Sequence, residues 1–96
     1  MKIVAISRPA KQMNAEVLEQ HIKQEAQQLW DLYLLGVVRE FYSTADKPGA
    51  VLILECTDVT EAKRHLDDLI FVSEELIEFA YYPLASFKPL GSLFAI

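Results

Sequence analysis

The stretch from Gly36 to Cys56 constrains the fold more than any other part of this sequence, because it predicts a β-hairpin. Residues 37–44 are rich in β-branched and aromatic side chains, and residues 51–56 are almost continuously apolar. Between these two runs, Pro48 and Gly49 suit a reversal of the chain and cannot continue a central strand. We therefore expect two adjacent antiparallel strands in the middle of the chain.

The residues before the hairpin predict a strand followed by a helix. A short strand, apolar on both faces, is expected from Lys2 to Ser7. Asn14 is placed to cap a helix that runs from Ala15 to about Leu35, where Gly36 ends it. We expect Trp30 in the core or in a subunit interface. Apolar residues recur on one side of this helix at steps of three and four, which predicts a core-facing side: Leu18, Ile22, Ala26, Leu29 and Tyr33.

The residues after the hairpin predict a second helix followed by a last strand. Asp58 and Glu61 have the spacing of a capping box, so a helix is expected from Val59 to about Leu69. Ala62, Leu66 and Leu69 give this helix a thin apolar stripe. Residues 70–75 fit neither pattern. The run from Leu76 to Tyr82 predicts a strand that Pro83 closes.

This order of elements, βαββαβ, predicts an α+β fold of the ferredoxin-like type. Two helices cover one face of a four-stranded antiparallel sheet, and the other face stays open. The 96 residues suit one domain, spanning 1–96, and a 52% hydrophobic content is high for so short a chain. We therefore expect a second copy to cover the open face, in a homodimer or a higher homo-oligomer.

The tail at residues 84–96 is too apolar to lie free in water. Two placements are compatible with its sequence. The tail packs against its own sheet edge or helices, or it crosses as an arm onto a partner subunit.

Composition excludes several classes of function. The net charge of −5, with nine scattered basic residues, leaves no basic patch for nucleic acid. No run approaches the roughly 20 apolar residues of a membrane span, so no membrane role is expected. The single cysteine, Cys56, has no partner for an internal disulfide, and we expect a buried thiol in a reducing cytoplasm. The lone histidines, His21 and His65, lack a second ligand at metal spacing.

The register of the hairpin decides which side chains the open face presents. If Thr44 pairs with Val51, Glu40 lies opposite Glu55, and Tyr42 lies on the same face. If the register slips by one residue, Arg39 faces Glu55 in an ordinary cross-strand ion pair. The first register gathers the bulkiest apolar side chains on the helix side, and we favour it for that reason.

Two carboxylates in one partly enclosed cavity suit acid/base chemistry, because both cannot ionise cheaply and one retains a proton. Glu40 and Glu55 are therefore the candidate catalytic residues; the alternative is that both are solvated at the rim or paired with arginine. Arg39, Tyr42, Glu78 and Tyr82 are the candidate substrate-binding residues. Tyrosine hydroxyls in an apolar cleft orient carbonyl or carboxylate ligands, although more often they are core residues with a satisfied hydroxyl.

The chain resembles the muconolactone isomerase-like proteins over most of its length. The resemblance lies in Glu25, Trp30 and Leu32-Tyr33, in Gly36 to Glu40, in Gly49 to Leu52 with Glu55-Cys56, and in Pro83-Leu84-Ala85. It implies a dimeric α+β barrel in which two ferredoxin-like sheets meet face to face. It also implies proton transfer within a small lactone or unsaturated acid, with no metal or organic cofactor. Leu69-Ile70 stands where those enzymes carry a Leu-Pro element, and no individual catalytic residue transfers.

Three functions are compatible with these observations. The first is an isomerase-like enzyme in which Glu40 or Glu55 carries the proton and Tyr42 positions the substrate. The second is a non-catalytic barrel that binds a small apolar or lactone ligand. The third is a purely structural role in an assembly.

Overall fold

The computed structural model describes residues 1–94, and it has the predicted α+β, ferredoxin-like architecture. One antiparallel sheet contains all four strands in the order β2-β3-β1-β4. A short third helix occupies the segment whose pattern fitted neither helix nor strand. The elements are β1 (Lys2–Pro9), α1 (Ala15–Leu34), β2 (Val38–Ser43), β3 (Ala50–Glu55), α2 (Val59–Asp67), α3 (Ile70–Ser73) and β4 (Ile77–Pro83), followed by a 3₁₀ helix at Lys88–Leu93.

The core lies between the sheet and the helices, as alternation along the strands requires. Ile3 of β1 and Leu54 of β3 are opposite each other and fully buried. The predicted apolar stripe of α2 packs onto them, and Leu66 is completely buried. The predicted caps are also confirmed. The Asn14 side chain accepts hydrogen bonds from the first turn of α1, and Asp58 accepts one from the Glu61 amide at 2.8 Å.

The side of α1 that faces the core differs from the predicted one. Ile22 and Tyr33 were expected inside, but their side chains are 61% and 43% exposed. Ala26 is exposed as well. Leu18 and Leu29 face inward as predicted, but the helix is rotated so that Glu25, Gln28 and Leu32 complete the inward side. Two of these three are polar, which is why apolar periodicity alone predicted only part of the inward side.

The two polar residues face inward because they hold the start of α3. The Glu25 carboxylate, only 5% exposed, accepts a hydrogen bond from the Phe71 amide at 3.0 Å. Gln28 accepts from the Ile70 amide at 2.8 Å and donates to the Asp68 carbonyl oxygen at 3.1 Å. The first amides of a helix have no partner within that helix, so side chains of α1 supply the missing acceptors. Burial raises the pKa of Glu25, and the Phe71 amide opposes that effect in part.

Replacing Glu25 by Ala should lower the free energy of unfolding by about 1–3 kcal/mol, because the Phe71 amide loses its acceptor. Glu25→Gln retains an acceptor oxygen without a buried charge, and it should be at least as stable as wild type at neutral pH. A raised folded-state pKa means that the glutamate's stabilising contribution is complete below its ordinary value of 4.5 and is lost as pH rises through the raised value. Urea unfolding at pH 4.5 and pH 7.5 tests this. The advantage of Gln over Glu should be larger at the higher pH, and the reverse order would contradict the assignment.

The hairpin is confirmed, but its register is neither of the two expected. Thr44 was expected opposite Val51; instead the Thr44 amide bonds the Gly49 carbonyl oxygen at 3.1 Å, and Ser43 pairs with Ala50. The turn is tight because the Thr44 hydroxyl bonds the Lys47 carbonyl oxygen. A Cβ at Gly49 would approach the Thr44 hydroxyl oxygen to 2.9 Å. Glycine therefore permits the shift of two residues, which preserves the predicted faces and changes the cross-strand partners.

Beyond Leu84, whose amide donates to the Lys2 carbonyl oxygen at 2.9 Å, the tail makes little contact with its own sheet or helices. Its large apolar residues from Leu84 to Phe94 are between 45% and 81% exposed. The prediction that the tail packs against its own sheet edge or helices is therefore wrong for the described residues beyond Leu84. Residues 95 and 96 lie outside the described part of the chain. The described chain has a longest dimension of 59 Å, against 29 and 20 Å in the other directions.

Candidate functional site

The open face of the sheet is an apolar strip, and both of its long edges carry tyrosines. The strip turns away from the helices, since its members alternate with the buried residues of each strand. Tyr42 flanks the strip on β2, and Tyr82 flanks it on β4. Both are about half exposed. The strip itself consists of Val4, Ile6, Val51, Ile53 and Ala80.

Glu40 and Tyr42 form a hydrogen-bonded pair at one edge of this strip. They are two residues apart on β2, so both side chains point to the open face. The Tyr42 hydroxyl donates to a Glu40 carboxylate oxygen at 2.6 Å. This hydrogen bond, and then the negative charge of Glu40, raise the pKa of Tyr42 above its ordinary value of 10. The phenol therefore stays protonated near neutral pH and orients the carboxylate.

Glu55 lies on the same face, but it is not the cross-strand partner of Glu40. The observed register places Glu40 opposite Ile53, and a β-bulge between Val38 and Glu40 breaks the pairing before Glu55 is reached. Glu55 lies opposite Lys2, and its carboxylate accepts from the amino group of Met1 at 3.1 Å. The expected facing pair of carboxylates is therefore wrong. Each carboxylate has a different partner.

The alternative register is wrong for the same reason. Arg39 sits in the bulge, and its Nε donates to the Gly36 carbonyl oxygen at 2.8 Å. That bond directs the guanidinium to the turn between α1 and β2. Arg39 therefore makes no cross-strand ion pair with Glu55.

The remaining candidate residues, Glu78 and Tyr82, lie on the open face on β4, separated from Glu40 and Tyr42 on β2 by the strands β3 and β1. Glu78 is opposite Arg8, and its carboxylate accepts from the Arg8 Nε at 2.6 Å. Tyr82 lies opposite Val4 in the same cross-strand row as Glu40 and Ile53. The open face thus has an apolar centre, an ion pair at each end, and an acid-phenol pair on one side.

Two clefts on the helix side were not predicted from the sequence. One, of about 560 Å³, lies along β4 and is lined by charged and aromatic groups, among them Lys63, Asp67 and Tyr81. Burial, and then the charge of Asp67, raise the pKa of Tyr81 to about 12. The other, of about 520 Å³, lies beside the N-terminal half of α1 and is mostly apolar. Its lining comes from four separate segments of the chain, and no local motif could have indicated it.

The other groups with chemical potential are engaged or isolated. Cys56 is a buried free thiol, and burial, followed by the charges of Glu61 and Glu55, raises its pKa. His65 lies 3.9 Å from Glu61 on α2. Among residues 1–94, no group of three His, Cys, Asp or Glu side chains is placed to hold a metal ion. Over the same range, no helix is long and apolar enough to cross a membrane.

Comparison with known proteins identifies the architecture. No protein-family model matches this chain, and no curated protein matches it. Among solved structures, a similar one is 5-chloro-2-hydroxyhydroquinone dehydrochlorinase (TftG) from Burkholderia phenoliruptrix AC1100, in complex with 2,5-dihydroxybenzoquinone. The two superpose with a TM-score of 0.61 at 18% identity, over 91% of this chain and 97% of that chain. The two chains share the ferredoxin-like α+β fold. At this identity the likeness establishes the fold, whereas the reaction needs its own evidence.

Proposed function

We propose that this protein is a homodimeric, isomerase-like α+β barrel enzyme, and that Glu40 transfers a proton within a small lactone or unsaturated acid bound between two sheets. The observation that carries the proposal is the hydrogen bond from Tyr42 to Glu40 beside an apolar strip. A carboxylate with one oriented oxygen, next to a surface that accepts an apolar ring, has the parts that general base catalysis needs.

The open face favours a dimer. Its central side chains are apolar, and four of the charged groups at its ends are already paired within the chain. Water solvates such a strip poorly, and a second sheet packed about 10 Å away removes it from water. The fold has the same implication, because two sheets of this kind meet face to face in the dimeric α+β barrels.

The chemistry needs no oxidation or reduction. One Glu40 oxygen takes a proton from the carbon next to the carbonyl group, and the electrons of that C–H bond form an extended enolate. The Tyr42 hydroxyl keeps the other oxygen in place. Glu40 then returns the proton at the far carbon of the conjugated system, so the double bond moves and no atom is gained or lost.

Other face residues are proposed to orient the ligand. Tyr82 lies across the strip from Glu40, where its hydroxyl is placed to donate to a carbonyl group. At one end, the Arg8 guanidinium, which Glu78 holds at 2.6 Å, is the proposed contact for a substrate carboxylate. Glu55, at the other end, is retained as a second candidate proton carrier. Arg39 contributes only by fixing the turn that precedes Glu40, since its guanidinium bonds Gly36.

The substrate class is a small, oxygenated, cyclic or unsaturated compound. The apolar strip suits the carbon skeleton, the flanking tyrosine hydroxyls suit carbonyl oxygen atoms, and the carboxylates suit hydroxyl groups. The structural neighbour is named for a chlorinated hydroxyhydroquinone and was solved with 2,5-dihydroxybenzoquinone. We propose a compound of similar size for this chain. A reducing cytoplasm is the proposed setting, consistent with the buried free thiol of Cys56.

Proton exchange in D₂O tests the proposal. The wild-type protein is incubated with a panel of small lactones and unsaturated acids, including muconolactone, and proton NMR follows the acidic C–H signals. We expect faster deuterium incorporation than in buffer for at least one compound, with loss of the effect after heat denaturation. Exchange at the buffer rate across the whole panel would contradict the enzymatic function.

A second function, binding without catalysis, is supported by the apolar cleft beside α1. Its polar neighbours are already engaged: the Ser7 hydroxyl accepts from the Ala50 amide at 2.8 Å, and Thr44 bonds within the turn. The cleft therefore offers mainly apolar contact area, with the Glu19 carboxylate as a further acidic group in its lining. In that case ligands should perturb the NMR signals of the cleft residues and not those of Glu40 or Tyr42. The apolar lining residues are Met13, Leu18, Ile22, Pro48, Phe71 and Ile77.

A further inference from the structure

The residues after β4 form an exposed apolar arm, which we define as residues 84–94. The Leu84 amide donates to the Lys2 carbonyl oxygen at 2.9 Å, so the arm begins in line with β4. Beyond it, the hydrogen bonds found for residues 87–94 are all local, within the 3₁₀ helix and its flanks. Five of its side chains are large and apolar and lie largely in water: Leu84, Phe87, Leu90, Leu93 and Phe94. An arm of this composition requires cover.

The same chain exposes an aromatic patch, which we define as Trp30, Tyr33, Leu34 and Phe41. The Trp30 and Tyr33 rings stack with centroids 5.1 Å apart, and Tyr33 and Phe41 follow at 5.8 Å. Trp30 is 52% exposed and Leu34 is 66% exposed. Phe41 belongs to the helix face of β2, but α1 covers it incompletely. The patch is therefore a second apolar surface without cover among the described residues.

The positions of arm and patch indicate how they meet. The arm leaves β4 at the end of the sheet where Pro83 pairs with Ile3, and the C-terminus of α1 lies at that same end, because the Glu55 amide bonds the Val37 carbonyl oxygen. The arm starts on the β4 edge, whereas the patch is on the β2 edge. Three strand spacings, about 14 Å, separate these edges. With residues 88–93 in a 3₁₀ helix at about 2 Å per residue and the other five residues extended, the arm reaches up to about 29 Å, which is long enough to cross a sheet.

We propose that the arm of one copy packs on the aromatic patch of a second copy, and that two copies exchange arms. Each chain carries both complementary surfaces, so a two-fold axis satisfies both contacts at once and closes the assembly as a dimer. Within one chain the large side chains of the arm and of the patch both stay exposed, so the arm does not cover its own patch. This contact goes beyond the proposed function, because it involves neither the open face nor Glu40.

Because the chain has a single tryptophan, its fluorescence can report whether the arm of one copy contacts the patch of another. A truncated chain that ends at Pro83 keeps Trp30 and lacks the arm. A full-length Trp30→Phe chain supplies an arm and has no tryptophan emission. When the two are mixed and equilibrated, only the truncated copy is observed. We expect its emission to shift to shorter wavelength, because the donor's arm removes Trp30 from water.

Matched donors show whether the arm causes the shift. A donor with Trp30→Phe and Leu93→Asp should give little or no shift, since the added charge opposes burial. A donor with Trp30→Phe and Ser92→Asp carries the same charge at a polar position of the arm and should still act. A truncated Trp30→Phe donor should give none. If the truncated acceptor does not fold, a full-length acceptor with Leu90, Leu93 and Phe94 replaced by Ser takes its place.

Three results would overturn the inference. The first is no shift of the Trp30 emission with any donor, and the second is an equal shift with the truncated donor. The third is a blue-shifted emission of full-length wild type that persists when the protein is diluted to the monomer, because that would mean that the arm packs within one copy. The proposed function is judged separately. No ligand is present in this mixture, and the mass of the truncated chain reports sheet pairing by itself.

Discussion

Replacing Ile53 by Asp should convert the proposed dimer into a folded monomer. Ile53 lies in the centre of the apolar strip, opposite Glu40 on one side and Val4 on the other. In a face-to-face pair of sheets, its two copies are enclosed among apolar side chains, where an unpaired carboxylate costs several kcal/mol. In the monomer the same carboxylate is hydrated. The variant should lose only about 1 kcal/mol of strand stability, because the core on the helix side is unchanged.

Light scattering after gel filtration measures the mass, and far-UV circular dichroism reports the fold. Ile22→Asp is the matched control, since it places the same charge on an exposed apolar residue of α1. The control should keep the mass of the wild type. An Ile53→Asp protein with the wild-type mass would contradict the sheet-to-sheet dimer, whereas loss of the dimer in both variants would point to α1 as the interface.

Replacing Glu40 by Gln should lower the rate of proton exchange by about 10²–10⁴-fold, the usual contribution of a general base. Gln keeps the size of the side chain and still accepts from the Tyr42 hydroxyl, so binding should change little. The rate is measured with the compound that wild type exchanges fastest. Glu74→Gln, an exposed carboxylate at the end of α3, is the matched control and should retain the wild-type rate.

Two further variants locate the proton carrier. Tyr42→Phe removes one hydrogen bond to a charged group and should slow the exchange about tenfold. Glu55→Gln should have the smaller effect, because Glu55 pairs with the Met1 amino group and lies outside the row of Glu40. Unchanged exchange in Glu40→Gln would remove Glu40 from the mechanism, and an equal loss in Glu55→Gln would require both carboxylates to act together.

The sequence was sufficient for the architecture because the signals that set it are local. The Asn14 and Asp58 caps, the turn at Pro48-Gly49 and the stripe of α2 each involve residues close in the chain. All are observed where the patterns indicated. Together they fix the order βαββαβ, and the short helix α3 and the 3₁₀ helix at Lys88–Leu93 were the elements that the patterns did not indicate.

The side of α1 that faces inward depends on a contact between distant segments, which periodicity cannot reveal. Glu25 and Gln28 turn inward because the amides of Ile70 and Phe71 need acceptors. In consequence, Ile22, Trp30 and Tyr33 remain on the surface. The residues of the predicted core stripe are therefore divided between the core and the exposed surface of α1.

Sequence patterns predicted which face of the sheet each candidate residue occupies, but they did not predict the distances between these residues. Alternation along β2 and β3 correctly placed Glu40, Tyr42 and Glu55 on the open face. The register between the strands depended on the Thr44–Gly49 closure and on the bulge at Arg39, and both are set by hydrogen bonds that no single-strand pattern encodes. A shift of two residues keeps every face and separates the two carboxylates.

The most direct test of the central claim, that a second copy covers the open sheet face, is an isotope-filtered NOE measurement. Equal amounts of ¹³C-labelled and unlabelled chains are mixed, so that only contacts between copies are recorded. If a second copy covers the face, NOEs between chains connect the methyl groups of Val4, Ile6 and Ile53 with side chains of the partner's apolar strip and with the ring of the partner's Tyr82. NOEs between chains confined to the helices, or a mass of 10.9 kDa with none at all, would contradict it.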